Sequence, residues 1–148
     1  MGVTSIDMAG LTSLWDLESR WHLSRRITHG DGRIDTMAGT VDFVRSDQRL
    51  FQNETGILEV NEHRLEARQS YVWTETQDQL QVFFADFRPF HTLPLRQATP
   101  EAKHNCPRDK YHVRYDFTLW PNWKSTWTVE GPRKTYVMTS IFSKLPIS

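Results

Sequence analysis

Apolar and polar residues alternate with a period of two through most of this 148-residue chain. The pattern is clearest in "KYHVRYDF" (110–117), where Tyr111, Val113, Tyr115 and Phe117 share one face. Short polar turns such as "HGDGR", "SDQR" and "ETQDQ" separate the alternating segments. Because a period of two is typical of strands with one buried face, the chain is predicted to be all-β.

About eight or nine such segments follow one another with short connections, which indicates an antiparallel meander. Closure into an up-and-down β-barrel removes exposed sheet edges, so a closed antiparallel barrel is the predicted architecture and an open sandwich the alternative. Apolar residues at helical spacing predict one short N-terminal helix at about 10–21, followed by the barrel at about 22–143. Residues 94–109 contain three prolines and are predicted to form a long irregular loop. With no repeat or linker, a single domain spanning 1–148 is expected.

The charge pattern argues against nucleic acid or a membrane as a partner. The 18 basic and 18 acidic residues balance, and no basic stripe or basic amphipathic helix is present. The chain lacks the apolar run of about 18 residues that a transmembrane helix needs, and its first residues lack a signal-peptide pattern. Cys106 is the single cysteine, so a reducing compartment such as the cytoplasm is expected. The expected partner is a small-molecule ligand, and the sequence is also compatible with a homodimer.

Aromatic residues are abundant, with six Trp, eight Phe and four Tyr. A barrel of about eight strands either fills its interior or holds one small ligand. Tyr and Trp on the inward face would supply apolar walls with a few polar tips. The predicted walls are Tyr71, Trp73, Tyr111, Tyr115 and Trp127. A filled interior would instead suit a protein-interaction module.

The segment "KHNCPRDKYHVRYDF" (103–117) contains most of the reactive side chains of the chain. With His91, the residues His104, Cys106 and Asp109 could act as polar anchors at the barrel mouth, as acid–base groups, or as a Cys–His nucleophile pair. These side chains are also chemically sound metal ligands, but the spacing His-x-Cys matches no closed zinc motif. We therefore predict neither a metal nor a cofactor, and the four residues remain candidate catalytic groups.

Five segments carry a resemblance to a known family: "RWHLSRRI" (20–27), "RQSYVW" (68–73), "FFADFRPFH" (83–91), "HNCPRDKY" (104–111) and "WTVEGPRKTY" (127–136). They resemble a family catalogued as a domain of unknown function (family 6314), whose members look like single lipocalin-like barrels. The resemblance implies a lipocalin-like (calycin) fold and adds Arg26, Arg88 and Lys134 as binding positions.

Two details of the resemblance concern local structure. Arg26 shares its parity with Ser24 and Thr28, so simple alternation sends it outward, whereas the resemblance implies a role inside. Phe87 stands where the family prefers glycine, which would alter the turn before Arg88. In "GPRK", Gly131 is predicted to permit a positive φ in a tight hairpin.

The predicted function is binding of a small, partly apolar molecule inside the barrel. The alternative is an enzyme of isomerase, cyclase or hydrolase type, using the His/Asp/Cys/Tyr cluster at the mouth. A filled barrel acting as an interaction module is the third hypothesis.

Overall fold

The computed structural model describes residues 10–146, which form ten strands and one short 3-10 helix (Leu14–Leu17). The strands are β1 (Arg20–His29), β2 (Ile34–Ser46), β3 (Arg49–Val60), β4 (His63–Thr76), β5 (Gln79–Phe84), β6 (Pro89–Pro94), β7 (Glu101–Asn105), β8 (Lys110–Asp116), β9 (Trp123–Glu130) and β10 (Thr135–Lys144). They form one antiparallel sheet in the order β6-β5-β4-β3-β2-β1-β10-β9-β8-β7. The predicted all-β barrel is confirmed, with ten strands where eight or nine were expected.

One of the additional strands lies inside segment 94–109, which was predicted to be irregular. β7 pairs with β8 from Glu101↔Arg114 to Asn105↔Lys110. Half-buried Ala102 and His104 alternate with exposed neighbours along it. Prolines on both sides conceal this five-residue strand in the sequence, and pairing with β8 stabilises it.

The N-terminal helix is shorter than the predicted 10–21. Its capping box is complete, because the Ser13 hydroxyl accepts from the Trp15 N–H and the Asp16 carboxylate accepts from the Ser13 N–H. Helical spacing continues to Trp21, but that residue belongs to β1, where it pairs with Val41 and Lys144. Pairing in the sheet therefore overrides the local helical pattern.

Two-residue turns connect several of the hairpins. The turn Asn61-Glu62 has φ of 48° and 73°, and Gln77-Asp78 has φ of 49° and 66°. Positive φ at both central residues suits the right-handed twist of the flanking strands. Phe87 also has a positive φ, 69°, which explains why glycine is the easier residue in that turn.

The barrel is closed on one side by side chains instead of a backbone ladder. β6 and β7 are the two ends of the hydrogen-bonded strand order, and they face each other across a seam. Phe90 of β6 stacks on Trp127 of β9 with ring centroids 4.9 Å apart, and its edge contacts His104 of β7 at 5.3 Å. We call the contact between β6 and β7 the aromatic seam.

The end of the barrel next to the 3-10 helix is packed solid. Leu14, Leu17 and Trp21 are fully buried, and Trp123 stacks on Phe142 with ring centroids 3.8 Å apart. The other end, which contains the turns after β1, β3, β5, β7 and β9, is more open. Among residues 10–146 no helix is long and apolar enough to cross a membrane.

Candidate ligand site

The barrel encloses a cavity of about 300 Å³. Its walls are mainly aromatic and aliphatic, and it extends from Trp123 and Phe142 at the packed end to half-buried residues at the open end. The residues at the open end are Ile27, Leu58, Ala67, Tyr136 and Met138. Ligand pockets in proteins begin at about this volume, 300 Å³, and have mostly apolar walls.

A chain of polar side chains crosses one wall of the cavity. The two terminal guanidinium nitrogens of Arg25 donate to the two carboxylate oxygens of Glu54 at 3.0 and 3.1 Å, and its Nε donates to the Ser140 hydroxyl at 2.7 Å. The Gln52 amide donates to Glu54 at 2.9 Å, and the Trp73 indole N–H donates to the Gln52 oxygen at 2.7 Å. These hydrogen bonds satisfy the buried charges of Arg25 and Glu54, as burial in an apolar wall requires.

Two tyrosines and one histidine of the wall remain uncharged near neutral pH. Burial raises the pKa of the Tyr71 phenol to about 12, and the negative charge of Glu54 adds to this effect. Burial also raises the pKa of Tyr115. Burial lowers the pKa of the His91 imidazole to about 3, and nearby His104 contributes in the same direction. His91 Nε2 lies 3.0 Å from the Tyr115 hydroxyl.

Five of the predicted site residues line this cavity: Tyr71, Trp73, His91, Tyr115 and Trp127. Most of the face predicted for 110–117 is buried, including Val113, Tyr115 and Phe117, and Trp127 of β9 is buried as well.

A second group of predicted residues lies at the rim. Cys106 Sγ is 3.3 Å from His104 Nε2, so the two side chains do share one side of the segment. Tyr111, half-buried next to Trp127, accepts a hydrogen bond from Lys134 Nζ at 3.1 Å. Asp109 lies 3.7 Å from Lys134, and within residues 10–146 it has no ion pair or hydrogen bond with a histidine. The rim thus contains a Cys–His pair and a separate Asp–Lys–Tyr cluster.

The "GPRK" turn differs from its prediction. Gly131 is not among the residues with positive φ. A side chain at this position would overlap the Asp109 carboxylate, which packs directly over Gly131. Glycine here leaves room for the Asp109 carboxylate between two neighbouring hairpins, and the backbone conformation does not require it.

Arg26 and Arg88 are not brought to the cavity. Arg26 is exposed on the outer face of β1, as its parity indicated, and Arg88 is exposed in a turn where it pairs with Asp86 at 2.7 Å. Both therefore lie outside the set of residues that line the interior. Within residues 10–146 no group of three or more His, Cys, Asp or Glu side chains is arranged to hold a metal ion.

Sequence reasoning missed the interior polar chain. Arg25 lies on the same face of β1 as Trp21, Leu23 and Ile27, and therefore points inward. The signal was present: a charged residue at inward parity on β1, and Gln52 and Glu54 at inward parity on β3. A polar residue in register with a buried apolar series indicates a buried polar site.

A ten-stranded antiparallel meander curled around a lined cavity defines a lipocalin-like barrel. The chain belongs to the family of unknown function DUF6314, whose model matches residues 17–144. The resemblance seen in the sequence is therefore confirmed. No curated protein matches the chain significantly.

Two solved structures are similar in fold. One is the S-type phycobiliprotein lyase CPES from Guillardia theta, with a TM-score of 0.63 and 8% identity, covering 100% of this chain and 95% of that chain. The other is a protein of unknown function from the DUF3598 family of Nostoc punctiforme, with a TM-score of 0.64 and 12% identity, covering 98% of this chain and 54% of that chain. At these identities the likeness concerns the fold alone.

Proposed function

We propose that this chain works as a single barrel domain that binds a small, partly apolar molecule in its interior. The observation that carries the proposal is the cavity of about 300 Å³, with its aromatic walls and internal polar chain. Cavities that hold ligands combine apolar walls with a few oriented polar groups. A barrel that served only as a protein-interaction module would be expected to have a packed interior.

A neutral fluorescent probe, N-phenyl-1-naphthylamine, tests the proposal. Trp73, Trp123 and Trp127 line the cavity, so a probe bound there should quench tryptophan emission and emit by energy transfer. Ala67→Trp places a bulky ring at the half-buried open end and should weaken binding by about tenfold or more, because the ring takes the space of the ligand.

Ala38→Trp is the matched control. Ala38 is exposed on the outer face of β2, so the same substitution there should leave the affinity unchanged. Cys106→Ala should also bind normally, because Cys106 lies at the rim and outside the cavity lining. Equal binding by the Ala67→Trp and Ala38→Trp variants would place the probe outside the barrel and contradict the proposal.

A further inference from the structure

The charges inside the cavity are already paired with each other. Arg25 and Glu54 line the cavity with side chains that are 11% and 3% exposed, and they form a two-pronged ion pair. Gln52 and Ser140 supply further hydrogen bonds, so the protein itself satisfies both charges. The buried wall therefore offers no uncompensated charge to a ligand.

A charged ligand would meet an energetic obstacle in this cavity. It would lose its hydration on entry and find no free opposite charge to replace it. An anion that bound Arg25, or a cation that bound Glu54, would have to break the ion pair and leave the other member buried alone. An uncharged ligand avoids both costs.

The other polar groups of the wall are consistent with an uncharged ligand. Tyr71 and His91 are neutral near pH 7, because burial moves the pKa of each away from neutrality, to about 12 and about 3 respectively. Arg68 also borders the cavity, but its side chain is exposed, where water and salt screen its charge.

Three hydroxyls in the wall remain available to a ligand. Tyr71, Ser125 and Tyr136 line the cavity, and within residues 10–146 none of their hydroxyls forms a hydrogen bond with a side chain or the backbone. Tyr136 is at the open end. A hydroxyl both donates and accepts, so each can bind an amide, a ketone or an alcohol.

We propose that the ligand is an uncharged molecule with a flat, largely apolar body and one hydrogen-bonding group of amide, ketone or alcohol type. This inference rests on the proposed function. The body lies against the aromatic side chains of the wall, which include Trp73 and Trp127. The polar group meets the Tyr71 and Ser125 hydroxyls beside the Arg25–Glu54 pair.

Two probes of nearly identical shape, 2-naphthamide and 2-naphthoate, test this inference at pH 7.5. They differ in charge, since one carries a neutral amide and the other a carboxylate. Competition against N-phenyl-1-naphthylamine, checked by calorimetry, should give 2-naphthamide an affinity about tenfold or more above that of 2-naphthoate, because only the carboxylate pays for burial of a charge.

An added charge inside the cavity should change this preference. Met138→Lys introduces a cation at the half-buried open end while the Arg25–Glu54 pair stays intact. The ratio of the two affinities should then shift toward 2-naphthoate. Val137→Lys is the matched control, because Val137 is the preceding residue and is 40% exposed on the outer face.

The outcomes separate the inference from the function on which it rests. If the unmodified protein binds N-phenyl-1-naphthylamine but binds 2-naphthoate as tightly as 2-naphthamide or more tightly, the inference of an uncharged ligand is overturned. The proposed binding function then stays in place. A ratio that responds equally to both lysine variants would also overturn the inference. Failure of all three probes to bind would overturn both.

Discussion

The chemistry of His91 depends on its burial. The imidazole is 8% exposed, shares a hydrogen bond with Tyr115, and contacts the rings of Phe90 and Trp127. Burial lowers its pKa to about 3, whereas the same side chain in an unfolded chain titrates near 6.5. It is therefore a neutral hydrogen-bonding group of the cavity wall at physiological pH.

The pKa of His91 makes stability depend on pH. Between about pH 6.5 and pH 3 the unfolded chain binds a proton that the folded chain does not, so acid favours unfolding in this window. From pH 6.5 to pH 5 this one group should remove roughly 1.5 kcal/mol from the free energy of unfolding. We expect His91→Gln to abolish that share of the pH dependence, measured by urea denaturation across the window.

His22→Gln is the control for this measurement. His22 is exposed on the outer face of β1. Its removal should therefore leave the pH dependence of the free energy of unfolding between about pH 6.5 and pH 3 unchanged. If the His91→Gln variant loses stability with acid as steeply as the unmodified protein, His91 is protonated in the folded state and the assignment is wrong.

The sequence predicts which side chains point into the barrel wherever the alternation along a strand is regular. Tyr115 and Trp127 are found inside because alternation along β8 and β9 is regular. Arg26, on the other hand, was included through the family resemblance against its own parity, and it lies outside. Parity also places Arg25 inside, but its pairing with Glu54 on another strand depends on sheet register, which the sequence does not show.

At the scale of elements, β2 and β3 approach each other through two glycines. Gly39 and Gly56 are directly paired, and both lie at inward parity. A Cβ at Gly39 would overlap the carbonyl oxygen of Thr55, which is backbone and cannot rotate away. These two glycines therefore permit the close approach of the strands that form this wall of the barrel.

We expect Gly39→Ala to lower the free energy of unfolding by about 1–3 kcal/mol, the usual range for overpacked sites. Gly30→Ala is the matched control, because a Cβ at Gly30 would meet Thr135 only at ordinary contact distance, 3.4 Å. The control should be neutral or slightly stabilising, since alanine restricts the unfolded chain more than glycine does. Urea denaturation measures both, and equal stability of the two variants would contradict the close approach.

Element boundaries were less predictable than element type. The 3-10 helix ends before Trp21, which lies in β1, pairs with Lys144 and contacts the ring of Trp123. β7 was missed because five residues between prolines carry too little alternation to identify a strand. In both cases the deciding interactions come from residues distant in sequence.

At the scale of the whole molecule, the sequence predicted a barrel but not the place where it closes. The hydrogen-bonded ladder runs from β6 through β1 and β10 to β7. Within residues 10–146 no backbone ladder joins β6 to β7; Phe90 of β6 contacts His104 of β7 and, farther across the barrel, stacks on Trp127 of β9. Because these contacts are not backbone pairs, alternation patterns contain no record of them. The aromatic seam is therefore where this barrel should open most easily.

Local opening at the seam can be separated from global unfolding. Phe90→Ala removes the ring that stacks on Trp127 and Phe84, and Phe43→Ala removes a buried ring from β2, which pairs with a strand on each side. Both variants should lose about 3–5 kcal/mol of stability, as truncated core phenylalanines do. They should differ in where the structure opens.

We expect amide hydrogen exchange in β6 and β7 to accelerate in Phe90→Ala by more than the loss of global stability explains. In Phe43→Ala the exchange of the same amides should follow global stability alone, because the seam stays closed by Phe90. Equal acceleration of β6 and β7 in the two variants would mean that the seam is no weaker than the hydrogen-bonded ladder. Selective acceleration in Phe90→Ala would instead show that one aromatic ring substitutes for the missing backbone pairs between β6 and β7.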